Sequence, residues 1–266
     1  MAGEHKTPAR QVALPDQTWG IRRPGGARPP RGCGPAPGRP CASREGFVIQ
    51  IISWATVGVV WLLAAEQAAR GWRRRQIWHG LWAVALLGLS VAATLQTLAA
   101  TGWTVTWYRW YYLAASIPVG VMGAASLFLG RRRRPAHWFL VIVAALAAAL
   151  AAAVFLSPVN AAALAEGGPR VGGGAMPLLP RVLFITMSTL GAAVLLASAV
   201  SNYLASRAVS HLWLLAGVLL LSLAGTASTT GHPAAFVLAN FAGFLGIWVG
   251  GRTARPVTPV RPSTRK

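Results

Sequence analysis

Residues 47–65 read FVIQIISWATVGVVWLLAA, and residues 66–75 continue with EQAARGWRRR. The first stretch carries no charge and is long enough to cross, as a helix, a hydrocarbon layer about 30 Å thick. A helix is required there because backbone groups in lipid must form their hydrogen bonds within their own segment. The arginines that follow mark the membrane surface at which this helix ends. This region therefore predicts both a transmembrane helix and its basic flank.

Six further apolar runs follow the first, and none of the seven contains a charged residue. The seven runs are Phe47–Ala65, Gly80–Ala100, Tyr111–Gly130, Trp138–Ser157, Val182–Leu204, Leu212–Thr229 and Ala234–Gly251. Over the whole chain 55% of residues are hydrophobic and 11% are charged, whereas a soluble domain carries about 25% charged residues. We therefore expect an all-α, polytopic membrane protein with seven transmembrane helices. The excess of Arg over Lys and the many alanines favour the bacterial inner membrane.

The positively charged residues lie mostly in alternate connections between the runs. Fourteen Lys and Arg residues fall after the first, third and fifth runs and in the basic tail at 252–266, whereas the other connections hold Arg109, Arg170 and Arg181. Positively charged residues near helix ends stay in the cytoplasm, so the C-terminus is predicted inside and the residues before Phe47 outside. We expect the basic cytoplasmic segments to contact anionic lipid headgroups. The net charge of +20 then reflects membrane topology, and no nucleic-acid partner is predicted.

Residues 1–46 do not fit this orientation, because they carry eight Lys and Arg residues yet lie on the predicted outer side. Gly20–Ser43 is rich in Gly, Pro and Arg and cannot bury a core, so this N-terminal tail is expected to be disordered. Either the tail crosses the membrane despite its charge, or the true start lies later, near Phe47. Cys33 and Cys41 form a small disulfide or stay as two unpaired thiols, and a metal site on them is not supported.

Two pairs of runs resemble each other, the first with the fifth and the second with the sixth, whereas the third and seventh share little beyond a Gly-Arg pair at 130–131 and 251–252. With an offset of 133, Ser53, Thr56 and Gly58 of the first run align with Thr186, Thr189 and Gly191 of the fifth. With an offset of 132, Ser90, Thr94 and Thr97 of the second run align with Ser222, Thr226 and Thr229 of the sixth. The matches predict a parallel repeat of three helices, one linker helix and three helices, with Trp138–Ser157 as the linker. Chance matching between Ala- and Leu-rich helices is the alternative.

Polar side chains recur in the half of the runs that the orientation places outward. They are Ser53, Thr56, Ser90, Thr94, Thr97, Thr186, Thr189, Ser222, Thr226 and Thr229, with Asn240 at a similar depth. Spacings of three and four residues put members of each set on one helix face, where they could line an outward-open cavity that binds a small molecule. Alternatively, each hydroxyl bonds to a carbonyl of its own helix or serves as a small packing residue.

An aromatic segment precedes and enters the third run, with Trp107, Tyr108 and Trp110 around Arg109. Their rings and the guanidinium could stack a flat ligand or a sugar, or cap the cavity. An ordinary belt of aromatic residues at the membrane interface is the alternative. The long outer connection Pro158–Arg181 is either a functional lid or an irregular loop without a functional role.

Several chemistries lack the residues that they need. The apolar runs contain no carboxylate, although Glu66 borders the first, so a proton relay or two-carboxylate hydrolysis is not expected. A retinal pigment needs a lysine in its last helix, and the lysines are Lys6 and Lys266. The histidines do not have metal-ligand spacing. We therefore predict no cofactor, no metal site and no catalytic residues.

The pattern favours a multi-pass membrane protein that binds or transports a small neutral or weakly polar molecule from the outer side. The alternative is a membrane scaffold or accessory subunit that packs against another membrane protein. An outward-open cavity lined by the hydroxyls would favour the first hypothesis. A hydroxyl face sealed against apolar side chains would favour the second.

Overall fold

The structure, a computed structural model, describes residues 44–99, 102–128, 133–166, 175–229 and 233–253. The chain forms two units, Met1–Cys41 and Ala42–Lys266, and the described residues belong to the second. The predictions for Gly20–Ser43, for Cys33 and Cys41 and for most of the basic tail therefore fall outside the described residues.

The described secondary structure is helical, which confirms the all-α prediction for this part of the chain. The helices are α1 Arg44–Arg74, α2 Ile77–Leu98, α3 Val105–Phe128, α4 Arg133–Leu156, α5 Ala161–Glu166, α6 Leu178–Ser206, α7 Val209–Thr229 and α8 Pro233–Thr253. Among the described residues, five helices (α1 to α4 and α6) are long and apolar enough to cross a membrane. The apolar stretches described for α7 and α8, Val209–Gly225 and Ala234–Gly250, are shorter. The predicted count of seven spans stays a prediction.

The helices differ from the apolar runs at their ends. α1 continues to Arg74, past the predicted end at Ala65, and α3 begins at Val105 rather than at Tyr111. The reason is that hydropathy marks the part of a helix that lies in hydrocarbon, while backbone hydrogen bonding continues into the polar zone. The connection between α4 and α6 contains the unexpected helix α5, where Asn160 Oδ1 accepts the backbone N–H of Ala163 at 3.1 Å. This bond is typical of a helix N-cap.

The helix contacts follow a closed path through six helices. α1 packs on α2, α2 on α3, α3 on α6, α6 on α7, α7 on α8, and α8 on α1, while α4 packs on α3 and α6 from outside this ring. The linker predicted from the sequence, Trp138–Ser157, lies on α4. The contact path alone does not test the proposed repeat.

Glycines bring two pairs of helices into backbone contact, as is common in membrane bundles. A Cβ at Gly123 of α3 would lie 2.8 Å from the carbonyl oxygen of Gly191 of α6. A Cβ at Gly217 of α7 would lie 2.7 Å from the carbonyl oxygen of Gly243 of α8. In contrast, Gly58 of α1 has no atom within 4 Å of the place where its Cβ would lie.

We name the two ends of the ring the Trp103 end and the Glu66 end, after one residue that lies at each. α1, α3, α6 and α8 begin at the Trp103 end and finish at the Glu66 end, and α2, α4 and α7 run the other way. One apolar cluster draws buried residues from all six ring helices, including Leu63, Leu86 and Phe244, and lies in the Glu66 half. A second cluster, including Tyr108, Leu150 and Met176, joins α3 and α4 to the α4–α6 connection at the Trp103 end.

Candidate functional site

The polar stripe of α2 lies in the Trp103 half of the ring. Ser90 is 0% exposed and Thr97 is buried, while Thr94 between them is half-buried. Each hydroxyl donates at 2.8 Å to the carbonyl four residues earlier in its own helix. The hydroxyl protons are therefore used within the helix, as the packing alternative describes. Each oxygen keeps lone pairs that can accept a hydrogen bond.

Thr94 accepts a hydrogen bond through such a lone pair. The indole Nε1–H of Trp61 on α1 donates to Thr94 Oγ1 at 3.2 Å, while Thr94 Oγ1 itself donates to the carbonyl of Ser90 at 2.8 Å. Sequence reasoning missed Trp61. Its position four residues before the end of the first run at Ala65 did not distinguish it from the tryptophans of a membrane belt, which lie near the run ends.

The hydroxyls of α1 adopt the same geometry as those of α2. Ser53 donates to the carbonyl of Ile49 and Thr56 to that of Ile52, both at 2.8 Å. Thr56 is buried and Ser53 is half-buried. α1 packs on α2, and these hydroxyls lie in the Trp103 half of both helices.

The remaining predicted hydroxyls are more dispersed. Ser222 of α7 is exposed and donates to the carbonyl of Val218 at 3.0 Å. On α6, which packs on α3, α4 and α7, Thr186 is half-buried and Thr189 is exposed. Asn240 is half-buried on α8. Thr226 and Thr229 lie on α7, but their side chains are outside the described part of the structure.

The aromatic residues predicted at the cavity mouth divide into two groups. Tyr108 is 1% exposed, and its ring lies 5.6 Å from that of Trp103 and 5.9 Å from that of Tyr112, measured between centroids. Trp107 and Trp110 of α3 are instead 38% and 53% exposed. Tyr108 therefore belongs to the second apolar cluster, while the two tryptophans have the exposure expected of interfacial anchors.

The connection between α4 and α6 covers this aromatic cluster. Leu164 of α5 and Met176 are buried with Tyr108. Arg109 Nη2 donates to the carbonyl of Ser157 at 2.9 Å, and Arg181 Nε donates to the carbonyl of Met176 at 2.7 Å. We call residues 157–166 and 175–177 the cap. The two arginines fix both ends of the cap to the helix bundle.

Two buried donors at the Trp103 end have no hydrogen-bond partner among the residues that the structure describes. They are Trp103 Nε1 and Arg109 Nε. A buried N–H without a partner costs roughly 1–3 kcal/mol. They lie beside the cap.

A polar cluster links α1 to α8 at the Glu66 end. Glu66 accepts from Arg70 Nη2 at 2.6 Å and from Trp248 Nε1 at 3.1 Å, and Arg252 Nε lies 3.3 Å from both of its carboxylate oxygens. The guanidinium of Arg252 also lies 4.5 Å from the centroid of the Trp248 ring. Among the side chains that the structure describes, Glu66 is the sole carboxylate, and we call these four residues the Glu66 cluster. Sequence reasoning noted Glu66 only as the acid beside the first run.

A cavity of about 310 Å³ lies elsewhere, between the C-terminal halves of α3 and α6. None of the predicted ligand-binding residues lines it. A search of the described residues for groups of three or more metal-ligating side chains finds none. The predicted binding roles of the hydroxyls and of the aromatic segment stay predictions.

No protein-family model matches the chain, and comparisons with curated proteins and with solved structures give no match either.

Proposed function

We propose that this is a seven-helix membrane protein with its N-terminus outside and its C-terminus in the cytoplasm, built as a repeat of three helices, one linker helix and three helices. It binds, and moves, a small neutral or weakly polar molecule that enters from the outer side. In this orientation the Trp103 end faces outward and the Glu66 end faces the cytoplasm. The proposal rests mainly on the region between α1 and α2 around Thr56, Thr94 and Thr97.

That region is polar, whereas the buried cluster in the Glu66 half of the ring consists of apolar side chains. Thr56, Ser90 and Thr97 are buried, and they lie on the Trp103 side of the apolar cluster that fills the other half of the ring. Burial of hydroxyls in a membrane protein is favourable when they pack closely or interact with a polar partner. Their own helices satisfy the protons, so the acceptor lone pairs are what this region presents to a ligand.

The Trp61–Thr94 bond indicates the chemistry of the molecule. A hydroxyl that already donates to its helix accepts an N–H from a neighbouring group at 3.2 Å. A ligand that replaced Trp61 would likewise have to donate a hydrogen bond. A carboxylate would favour a cation, but the carboxylate whose side chain is described, Glu66, is engaged by two arginines at the other end. Small alcohols, polyols and amides fit these requirements.

The structure of the Glu66 end supports entry of the ligand from the Trp103 end only. Apolar side chains from all six ring helices meet there. The Glu66 cluster closes the gap between α1 and α8 beyond them, with three hydrogen-bonding partners on one carboxylate. A polar molecule that entered at the Trp103 end would therefore stop at the apolar cluster unless the helices moved.

Two observations favour the alternative of a scaffold or accessory subunit. The first is that the hydroxyls of α1 and α2 donate to carbonyls of their own helices, as packing residues do. The second is the surface of α4. α4 stands outside the ring and exposes a row of alanines, which are Ala144, Ala145, Ala148, Ala149 and Ala152. Small residues on a membrane helix allow a second helix to approach closely. A partner protein would then cover α4, and the hydroxyls of α1 and α2 would serve packing alone.

Osmotic swelling of proteoliposomes separates the two functions. Purified protein is reconstituted, and light scattering follows the entry of glycerol, urea or erythritol. The binding and transport proposal predicts faster entry than in protein-free liposomes for at least one solute, and a slower rate in Thr94→Val. Ser126→Ala is the matched control, because Ser126 of α3 has the same bond to its own helix, to the carbonyl of Met122, and is not among the predicted ligand-binding residues. Entry of all three solutes at the protein-free rate would contradict transport of this solute class.

A further inference from the structure

The cavity between α3 and α6 begins where the two helices separate. Their backbones are in contact at Gly123 and Gly191, and their pairing is parallel, since Gly120 faces Met187 further toward the Trp103 end. Beyond this contact, toward the Glu66 end, the helices leave a cavity of about 310 Å³. Ser126 and Leu127 line it from α3. From α6 the lining residues are Val194, Ala197, Ser198, Ser201 and Asn202.

The cavity wall changes from apolar to polar along α6. Val194 and Ala197 come first, Ser198 lies one turn beyond Val194, and Ser201 and Asn202 lie at the far end. Ala197 and Ser201 are exposed, although both belong to the apolar stretch Leu178–Ala205 that could cross a membrane. Side chains exposed on such a stretch face lipid. A molecule that enters this cavity past Ala197 and Ser201 would therefore come from the membrane.

A cationic side chain follows the polar end of the cavity along the chain. Arg207 follows α6 directly, five residues after Asn202, and it is exposed. Its backbone adopts a left-handed conformation with φ of 52°, which ends α6 at this residue. Its guanidinium lies 5.9 Å from the centroid of the Tyr203 ring. The order along α6 is thus apolar side chains, hydroxyl and amide groups, and a positive charge.

We propose that this cavity binds an anionic phospholipid of the cytoplasmic leaflet. The acyl chain lies against Leu127, Val194 and Ala197, the glycerol esters lie beside Ser201 and Asn202, and the phosphate lies next to Arg207. Basic pockets between transmembrane helices bind anionic headgroups in this way. The cytoplasmic leaflet follows from the proposed orientation, whereas the order of groups along the cavity does not depend on it.

The test is lipid retention by the purified full-length protein. The protein is extracted in mild detergent and mixed with equal amounts of phosphatidylglycerol and phosphatidylcholine, and bound lipid is measured by native mass spectrometry. Wild-type protein is expected to retain phosphatidylglycerol in preference. Ala197→Trp fills the cavity and should reduce retention of both lipids roughly tenfold, the effect expected when a bound chain loses its site. Arg207→Gln should lower the preference for phosphatidylglycerol roughly fivefold, as expected for one basic residue near an anionic surface.

The matched control is Ala193→Trp, because Ala193 is exposed one turn earlier on α6 and does not line the cavity. It should retain lipid like the wild type. If Ala197→Trp does not fold, Ser201→Leu obstructs the polar end of the cavity and should give the same loss. Equal retention in wild-type protein and the cavity-filling variant, or equal loss in the Ala193 control, would overturn the proposal.

A C-terminal reporter separates the proposed lipid site from the proposed orientation. If the C-terminus lies outside, the orientation fails while lipid retention still tests the cavity.

Discussion

Trp61 donates its indole N–H to the hydroxyl of Thr94 at 3.2 Å, across the contact between α1 and α2. Trp61 is 42% exposed, so much of its side chain stays accessible while its indole N–H binds α2. This bond joins two residues that are 33 positions apart in the chain. It is also the clearest example in the structure of a hydroxyl that accepts a hydrogen bond while donating to its own helix.

The first prediction concerns this pair. Thr94→Val keeps the shape of the side chain but removes the acceptor, so the hydrogen bond with Trp61 is lost. One such bond contributes about 0.5–1.5 kcal/mol to stability, and the thermal midpoint in detergent should fall by a few degrees. Trp61→Phe should lower the midpoint by a similar amount, and the double variant should show less than the sum of the two losses. Fully additive losses would mean that the bond does not contribute to stability.

The second prediction compares two glycines that the sequence repeat aligns. A Cβ at Gly191 would collide with the carbonyl of Val119 on α3, whereas a Cβ at Gly58 would meet nothing within 4 Å. Gly191→Ala should therefore force α3 and α6 apart and lower stability strongly. Gly58→Ala should be neutral, or stabilising by up to about 1 kcal/mol through the better helix propensity of alanine. Thermal unfolding of the two variants gives the comparison, and equal midpoints would contradict the close contact.

The third prediction concerns the Glu66 cluster. Glu66→Gln removes the charge that holds Arg70 and Arg252, and the seam between α1 and α8 should loosen. Ala64→Cys reports on that seam, because Ala64 is buried in the adjacent apolar cluster. A membrane-impermeant thiol reagent added to inverted vesicles should label it severalfold faster in the Glu66→Gln background.

Ala125→Cys is the control for this experiment, since Ala125 is buried in the same cluster but lies on α3, away from the seam. Its labelling should not change. Faster labelling at both positions would indicate general loosening of the bundle, and no change at either would show that the Glu66 cluster does not close the seam.

The fourth prediction concerns the cap. Arg109→Met removes the hydrogen bond to the carbonyl of Ser157 but retains much of the apolar side chain. The α4 end of the cap should then detach more often, and limited proteolysis should cleave residues 157–177 faster than in the wild type. Arg134→Met serves as the comparison, because Arg134 is an exposed arginine at the other end of α4. Unchanged cleavage in Arg109→Met would show that packing of Leu164 and Met176 holds the cap without it.

Hydropathy predicted the parts of the fold that depend on transfer of side chains into lipid. The apolar runs lie on helices, and the ends of the five long helices lie within two turns of the predicted ends, except that α1 continues nine residues past Ala65. Helix partners were harder to predict, because residues such as Gly123 and Gly191 pair only when α3 and α6 are adjacent in space. Composition alone gives no information on that adjacency.

In the candidate site, too, the sequence predicted which residues share a helix face but not which residues of other helices they would contact. The helical spacing of Ser90, Thr94 and Thr97 placed them on one side of α2, but it did not indicate which neighbour they would face. Tyr108 was predicted at a cavity mouth, and the structure places it beneath the cap because residues distant in sequence, Leu164 and Met176, cover it. The partners of Glu66 on α8 were missed for the same reason.

The central claim is that the polar region between α1 and α2 is reached from the outer side and is closed from the cytoplasm. The most direct measurement is the labelling of Thr94→Cys in a chain with Cys33→Ser and Cys41→Ser, using a membrane-impermeant maleimide. The account predicts labelling in intact cells and protection in inverted vesicles, with Ala64→Cys protected in both. Labelling of Thr94→Cys from the cytoplasmic side alone, or from neither side, would contradict it.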